Sequence, residues 1–251
     1  SEALKVRDKY QSARAKALAS LESYVDGTQY AGLPDWFSDD KPLWERAPCI
    51  VYPIVRCAID SNGDLLLGEG RFPDLHLAEL EGDEAAGESA EQALNKLIQQ
   101  SRLKAAAREV FAAGQGCGSA CAIFGVRAGR LFIDTVRAAW CEPVLDAEGA
   151  VLALTIAYPY LVVEQTSDGE KVVCMLYRRQ IDASTDVTYL PARGNIEGAP
   201  PSWRKDPART FTHGLGFCPV VWFPHMKGCQ VVNDFDGRAI HEHLTDEIRA
   251  H

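Results

Sequence analysis

Between Gly114 and Ser119 the chain reads GQGCGS. Glycine runs of this kind cradle phosphates when they follow a strand and open a helix, because the first helical N–H groups then face the anion. Here a helical pattern precedes the glycines, a strand pattern follows them, and no Lys-Ser or Lys-Thr pair comes after. Gly114 is better read as the residue just past a helix C-terminus. At 233–237 the run NDFDG suggests a calcium loop. Aligning Gly237 with the glycine of an EF-hand puts Val232 at the first ligand position and His243 at the last, where carboxylates are required. An Asx-type turn before a final helix is the better account.

His241 and His243 lie two apart, so on a helix they point about 200° from each other and cannot share a metal from one face. His225 could join Cys218 and Cys229 only through the fold, since no zinc spacing and no Cys-x-x-Cys pair is present. Gly-x-Ser-x-Gly, His-Glu-x-x-His and paired catalytic carboxylates are absent too. The sequence therefore predicts no catalytic, cofactor-binding or metal-binding residue and does not read as an enzyme. The competing reading, a small-molecule enzyme or ligand-binding protein, would build its site from Cys117, Cys121, His225 and Asp234.

Composition narrows the class. The 251 residues are 47% hydrophobic and 24% charged, with a net charge of −9. That balance argues against a protein that sits statically on nucleic acid through phosphate contacts. From Asp60 to Glu91 there are ten carboxylates and one basic residue, Arg71, which reads as a solvated acidic surface. Eight cysteines without a disulfide framework fit reduced thiols of a cytosolic protein. The longest uncharged apolar run, Ala150 to Val163, has fourteen residues and is too short for a membrane helix. Ser1 at the start and an uncapped polar run ending at His251 read as a piece of a longer protein.

The elements that must position these residues change character along the chain. Ala13, Ala17, Leu21, Tyr24 and Val25 mark one face of a helix running from Tyr10 to Asp26-Gly27. Ile50, Val51, Ile54, Val55, Ala58 and Ile59 keep a helical period, kinked by Pro53. DSNGD at 60–64 then reads as a turn and LLLGEG at 65–70 as a short strand or loop. Ser89 opens a capping box with Ala93, Leu94, Leu97 and Ile98 as the buried stripe. A further helix covers Ala105 to Phe111. After it come strand patterns in SACAIFGVR, RLFIDTV, AAWCEPVL, AVLALTIAY, YLVVEQT and KVVCMLYRR, separated by tight turns. Pro191 to Arg209 reads as a long polar loop.

FTHGLGFCPVVWFPHMKG, at 211–228, places Pro219 in an otherwise strand-like run. A missing N–H suits an edge strand, Phe217 to Phe223, entered through a Gly-x-Gly turn and stopped by Pro224. The final AIHEHLTDEIRAH, from 239, looks helical. The aromatic segment with Tyr30, Trp36, Phe37 and Trp44 is either a contact surface or satellite core. The fold class is α+β, N-terminal helices packed on an antiparallel, meander-type sheet. Its parts are a helical region 1–113, a β-rich region 114–238, and the start of a helix at 239–251.

In segment order, SLESYVDGTQYAG, IVYPIVRCAIDSNGDLLLGEG and AAAREVFAAGQGCGSACAIFGVRAGRLFIDTV resemble the N-terminal wing region of tailed-bacteriophage portal proteins. HGLGFCPVVWFPHMKG resembles the stretch that precedes their stem helices. The resemblance covers nearly the whole chain at low motif specificity, and portals continue past this point into stem, clip and usually crown segments. It implies a head–tail connector at one capsid vertex, a ring of twelve subunits in the full-length protein. Its partners would be terminase, capsid and tail-adaptor proteins, with double-stranded DNA in transit and no membrane. The resemblance also implies no catalytic residue and no cofactor, assembly in the host bacterial cytoplasm and a final place in the virion. A free-standing head-completion adaptor is the third reading.

Overall fold

Local sequence rules account for most element ends. The computed structural model describes residues 2–31, 33–38, 41–68, 84–127, 129–166, 169–195, 201–226 and 235–242. The side chains of residues 44, 84–89, 127 and 166 lie outside that description. Two helices stand where one was expected, α1 (Glu2–Tyr10) and α2 (Ala13–Asp26). Ser12 separates them and caps α2, its hydroxyl accepting from the Ala15 N–H at 3.1 Å. Of the expected face only Leu21 is buried, Ala13 is exposed, and Leu18, outside that face, is buried as well; Gly27 follows at φ 71°.

Three helical expectations change. α3 (Ile54–Leu67) starts after Pro53, which removes 50–53 from the helix, and runs straight through DSNGD into LLLG. Ion pairs hold that stretch helical: Arg56 with Asp60 one turn on, and Arg108 with Asp64. α4 (Glu84–Ser101) starts five residues before Ser89, so Ser89 lies inside the helix rather than ahead of it, while Ala93 and Leu97 of the expected buried stripe are exposed. α5 (Leu103–Cys117) continues past Gly114, and Gly118 is the left-handed residue that ends it, at φ 84°. Gly116 allows α5 to approach Val25 and Ile59 closely.

The fold is α+β, with antiparallel sheets after the helices. Strands β1 (Ser119–Arg127) and β2 (Arg130–Val136) coincide with their sequence patterns. β3 (Cys141–Leu145) follows a short 3₁₀ turn at Ala138–Trp140. The next two patterns fuse into one long strand, β4 (Val151–Thr166), with Pro159 inside it opposite Leu176. Counting the alternation from the closing pair Thr166–Gly169, the Pro159 nitrogen turns towards β3, and β3 ends opposite Ile156. No ladder donor is required there. β5 (Gly169–Ile181) and β6 (Thr185–Tyr189) complete the meander.

The expected loop from Pro191 to Arg209 instead carries β7 (Ala192–Arg193) and most of β8 (Lys205–Thr212). Pro207 is tolerated because β8 is an edge strand, in the order β3-β4-β5-β6-β8 with β7 against β5. The three-stranded sheet has the order β2-β1-β9, where β9 is Val220–Pro224. β9 is the edge strand expected, shortened at its start, and Gly214 and Gly216 both adopt positive φ before it. Phe124 N–H donates to Pro219 O at 2.9 Å and His225 N–H to Gly118 O at 2.8 Å, so β9 runs antiparallel to β1. By alternation Pro224 turns its nitrogen to the outer edge, and Val220 N–H folds back to Cys218 O. The edge is thereby blunted against strand addition.

Two compact units interleave in sequence: 1–17, 121–124 and 136–222 form one, and 18–120, 125–135 and 223–251 the other. In the first, Val6 of α1 packs on Cys174 and Leu176 of β5, flanked by Tyr10 and Trp203. In the second, α3 packs on α5 around buried Ile59, Ala106 and Cys117. Most of the expected C-terminal helix, and residues 69–83 of the acidic stretch, fall outside the described residues.

Candidate functional site

The glycine-rich turn after α5 is closed by the chain itself. Gly118 N–H donates to Gly114 O, and Gly118 O accepts from His225 N–H, both at 2.8 Å. Ser119 is fully buried; its hydroxyl donates to Asp236 Oδ1 and accepts from Gly237 N–H, each at 3.0 Å. His225 Nδ1 lies 2.9 Å from the Arg238 carbonyl. Carbonyl-rich helix C-terminus and returning backbone together leave this turn without the outward N–H groups a phosphate needs.

Of the residues in the enzyme-type alternative, Cys117 is buried and His225 is half-buried beside Gly114. Cys121 belongs to the other compact unit, and Asp234 lies outside the described residues. His243 and Cys229 lie outside them as well. Among the described residues no three His, Cys, Asp or Glu side chains gather where they could hold a metal ion. His241 is buried, with Nε2 at 3.1 Å from Leu21 O and its ring tilted against Tyr24. Burial pushes its imidazole below the ordinary value, against the opposing pull of the Leu21 carbonyl.

The buried thiols are poor nucleophiles. Cys121 and Cys141 are both fully buried and hydrogen-bonded to each other, and that bond together with burial pushes the Cys141 thiol far up. Burial likewise raises Cys174, and lifts Cys218 to about 11. Cys49 and Cys57 are exposed.

An apolar groove of about 600 Å³ opens along β9 in the first compact unit. Phe124, Val151, Phe217, Pro219, Val221 and Trp222 form its walls, and no charged side chain lines it. Pro219 helps to shape it: the blunted end of β9 leaves side chains rather than another strand facing the opening. Trp222 is itself fixed from behind by the Arg14 guanidinium, 5.7 Å from its ring centroid. Arg14 in turn donates to the carbonyls of Ala138 and Cys141.

The aromatic segment resolves unevenly. Phe37 is 82% exposed and Tyr30 also exposed, whereas Trp36 is half-buried; the Trp44 side chain is outside the description. Arg46 ties this segment by donating to the carbonyls of Lys41 and Trp36. Sequence reasoning missed a second aromatic group, in which Trp140, Tyr158 and Tyr177 stack at 4.3 and 4.9 Å across β4 and β5. Its signal was a register: Tyr158 lies directly opposite Tyr177, a pairing that exists only once the hairpin is closed. No helix of the described residues is long and apolar enough to cross a membrane. No protein-family model matches the chain, and no curated protein matches it either.

Proposed function

We propose that this chain is the wing region of a tailed-phage portal, a structural ring subunit of the head–tail connector. The observation that carries the reading is the order of elements in the segments that bear the resemblance. A helix ends at Asp26-Gly27, a second helix covers IVRCAIDSNGDLLL, and a third runs into the Gly118 turn before an antiparallel meander. Within the HGLGFCPVVWFPHMKG stretch, Val220–Pro224 form the edge strand β9. The role is mechanical: the chain shapes and closes a channel, while terminase does the chemistry of packaging. Its acidic balance suits a conduit, since DNA in transit should not be gripped. Capsid and tail adaptor would meet other faces of the ring in the virion.

Electron microscopy of the protein expressed from its complete gene tests this. Rings, of twelve subunits by family resemblance, are the expected result. Monomers under every assembly condition tried would defeat the proposal.

A further inference from the structure

β4 and β5 pair without interruption from Leu154–Ile181 to Thr166–Gly169. Their neighbours cover only one end: β3 stops opposite Ile156, and β7 reaches only Met175 and Leu176. Beyond Leu161–Cys174 no third strand of the described residues pairs with β4 or β5, although on one face Val173 is buried and Arg193 reaches Glu164. A two-stranded ribbon is marginal in water unless something covers it. The other face is apolar and exposed. Leu161 and Val163 are two apart, and Val172 lies directly opposite Val163, so all three share that face. The same face carries Cys174 and Leu176, on which α1 packs, so the exposed patch continues a built core face.

The groove along β9 lies at the other end of the same strand, where Val151 forms part of its wall. Val163 is twelve residues further along β4, about 40 Å away at the rise of a strand. A chain therefore cannot fill its own groove with its own ribbon. We infer that the Leu161–Val163–Val172 face of the β4–β5 ribbon docks in the β9 groove of a second copy of this chain. Both surfaces are apolar, and the groove has no charge to reject aliphatic side chains or to demand a polar ligand. Because donor and acceptor surfaces differ, the contact is head-to-tail and propagates into a ring or a filament rather than a symmetric dimer. Three aliphatic side chains supply well under the roughly 800 Å² per partner of a standard interface, so two copies alone associate weakly. In a ring each copy uses both its ribbon and its groove. The inference rests on the ring-forming reading above and names the surfaces that would meet.

Two variants of the whole chain test it: Val163→Asp spoils the ribbon, and Phe217→Asp spoils the groove. Circular dichroism and thermal melts establish that each folds, and Val163→Thr repeats the measurement if aspartate disturbs the hairpin. Sedimentation velocity should show concentrated wild-type protein associating beyond dimers, and each variant alone associating at least tenfold more weakly. An equimolar mixture, which holds one good ribbon and one good groove per pair, should stop at dimers. A wild-type chain that stays monomeric, a variant that associates like wild type, or a mixture that stays monomeric would overturn the contact. Rings from the complete gene that persist with Val163→Asp would remove the contact and keep the portal reading. Capped dimers with no ring in any whole-gene preparation would do the reverse.

Discussion

Gly118 and Gly237 meet backbone to backbone. A Cβ on Gly118 would overlap the Gly237 carbonyl, and one on Gly237 would overlap both the Gly118 carbonyl and the backbone of His225. Gly118 also needs its positive φ of 84° to end α5. This contact is what fastens the returning segment 235–238 to the start of β1.

Alanine at either position should therefore cost at least 3 kcal/mol or prevent folding, since backbone rather than a flexible side chain must move. Gly63 supplies the contrast: it sits within α3, and a Cβ there would meet nothing within 4 Å. Gly63→Ala should stabilise by about 0.5–1 kcal/mol. Urea denaturation of the three variants checks both signs.

Stability should fall in two steps as pH drops. His241 has its folded pKa depressed, so the unfolded chain binds a proton first as pH falls through about 6.5. The associated stability is present above that value and lost below it. Asp182 is held well below the usual carboxylate range by the N–H groups of Ser184 and Thr185 and then by their hydroxyls. Its contribution is present above about 3.9 and declines as pH falls further. Thermal melts from pH 8 to pH 3 should show both steps, and His241→Gln should flatten the one between pH 7 and 5. An unchanged slope in that variant would rule His241 out as its source.

Much of this was legible in the sequence, and the failures have local causes. β1 and β2 were readable to the residue because Gly118 and Gly129, both at positive φ, punctuate them. Asn62-Gly63 looked like a turn, yet the Asn62 side chain donates to Gln115 of α5, and that tertiary bond helps keep the helix intact. AVLALTIAY and YLVVEQT read as two strands on either side of Pro159, but whether a proline breaks a strand depends on which neighbour its nitrogen faces. The groove was less readable than the fold. Its walls come from β1, from the turn before β4 and from the approach to β9, and no sequence window contains all three.

Thiol reactivity should divide the cysteines by burial. Cys49 and Cys57 are exposed, whereas Cys117, Cys121, Cys141, Cys174 and Cys218 are buried. Iodoacetamide at neutral pH, read by peptide mass spectrometry, should label the first two within minutes and the other five only after unfolding. Rapid labelling of Cys121 or Cys141 in folded protein would show that their pocket opens.

The Arg179–Asp186 fork should be the costliest ion pair to break. Its two bonds measure 2.9 and 2.6 Å across β5 and β6, and the Asp186 side chain is almost wholly buried. Asp186→Ala removes the carboxylate and leaves the guanidinium in a partly desolvated place, at a cost of about 3–5 kcal/mol. Replacing both partners by Met and Leu should recover most of that loss, because two charges then no longer need compensation. Denaturant midpoints of the single and double variants decide it, and a double variant no better than Asp186→Ala would contradict the argument.

Duplex DNA should bind the chain no more tightly than the non-specific range, about 10⁻⁴ to 10⁻⁶ M at physiological salt. The net charge is −9, and the densest basic cluster is RKDPAR at 204–209. The structure puts most of that cluster on the edge strand β8, where a bulge between Lys205 and Thr210 leaves Lys205 on the face of Thr210 and Arg209 on the opposite one. Cations divided between two faces cannot follow one phosphate track. At most two or three phosphates are then contacted, so log K should fall with log salt at a slope of only about −2 to −3. Gel shift or fluorescence anisotropy over a salt series measures both quantities. A nanomolar complex with a steep salt slope would mean that a basic surface forms elsewhere, and it would count against the conduit role as well.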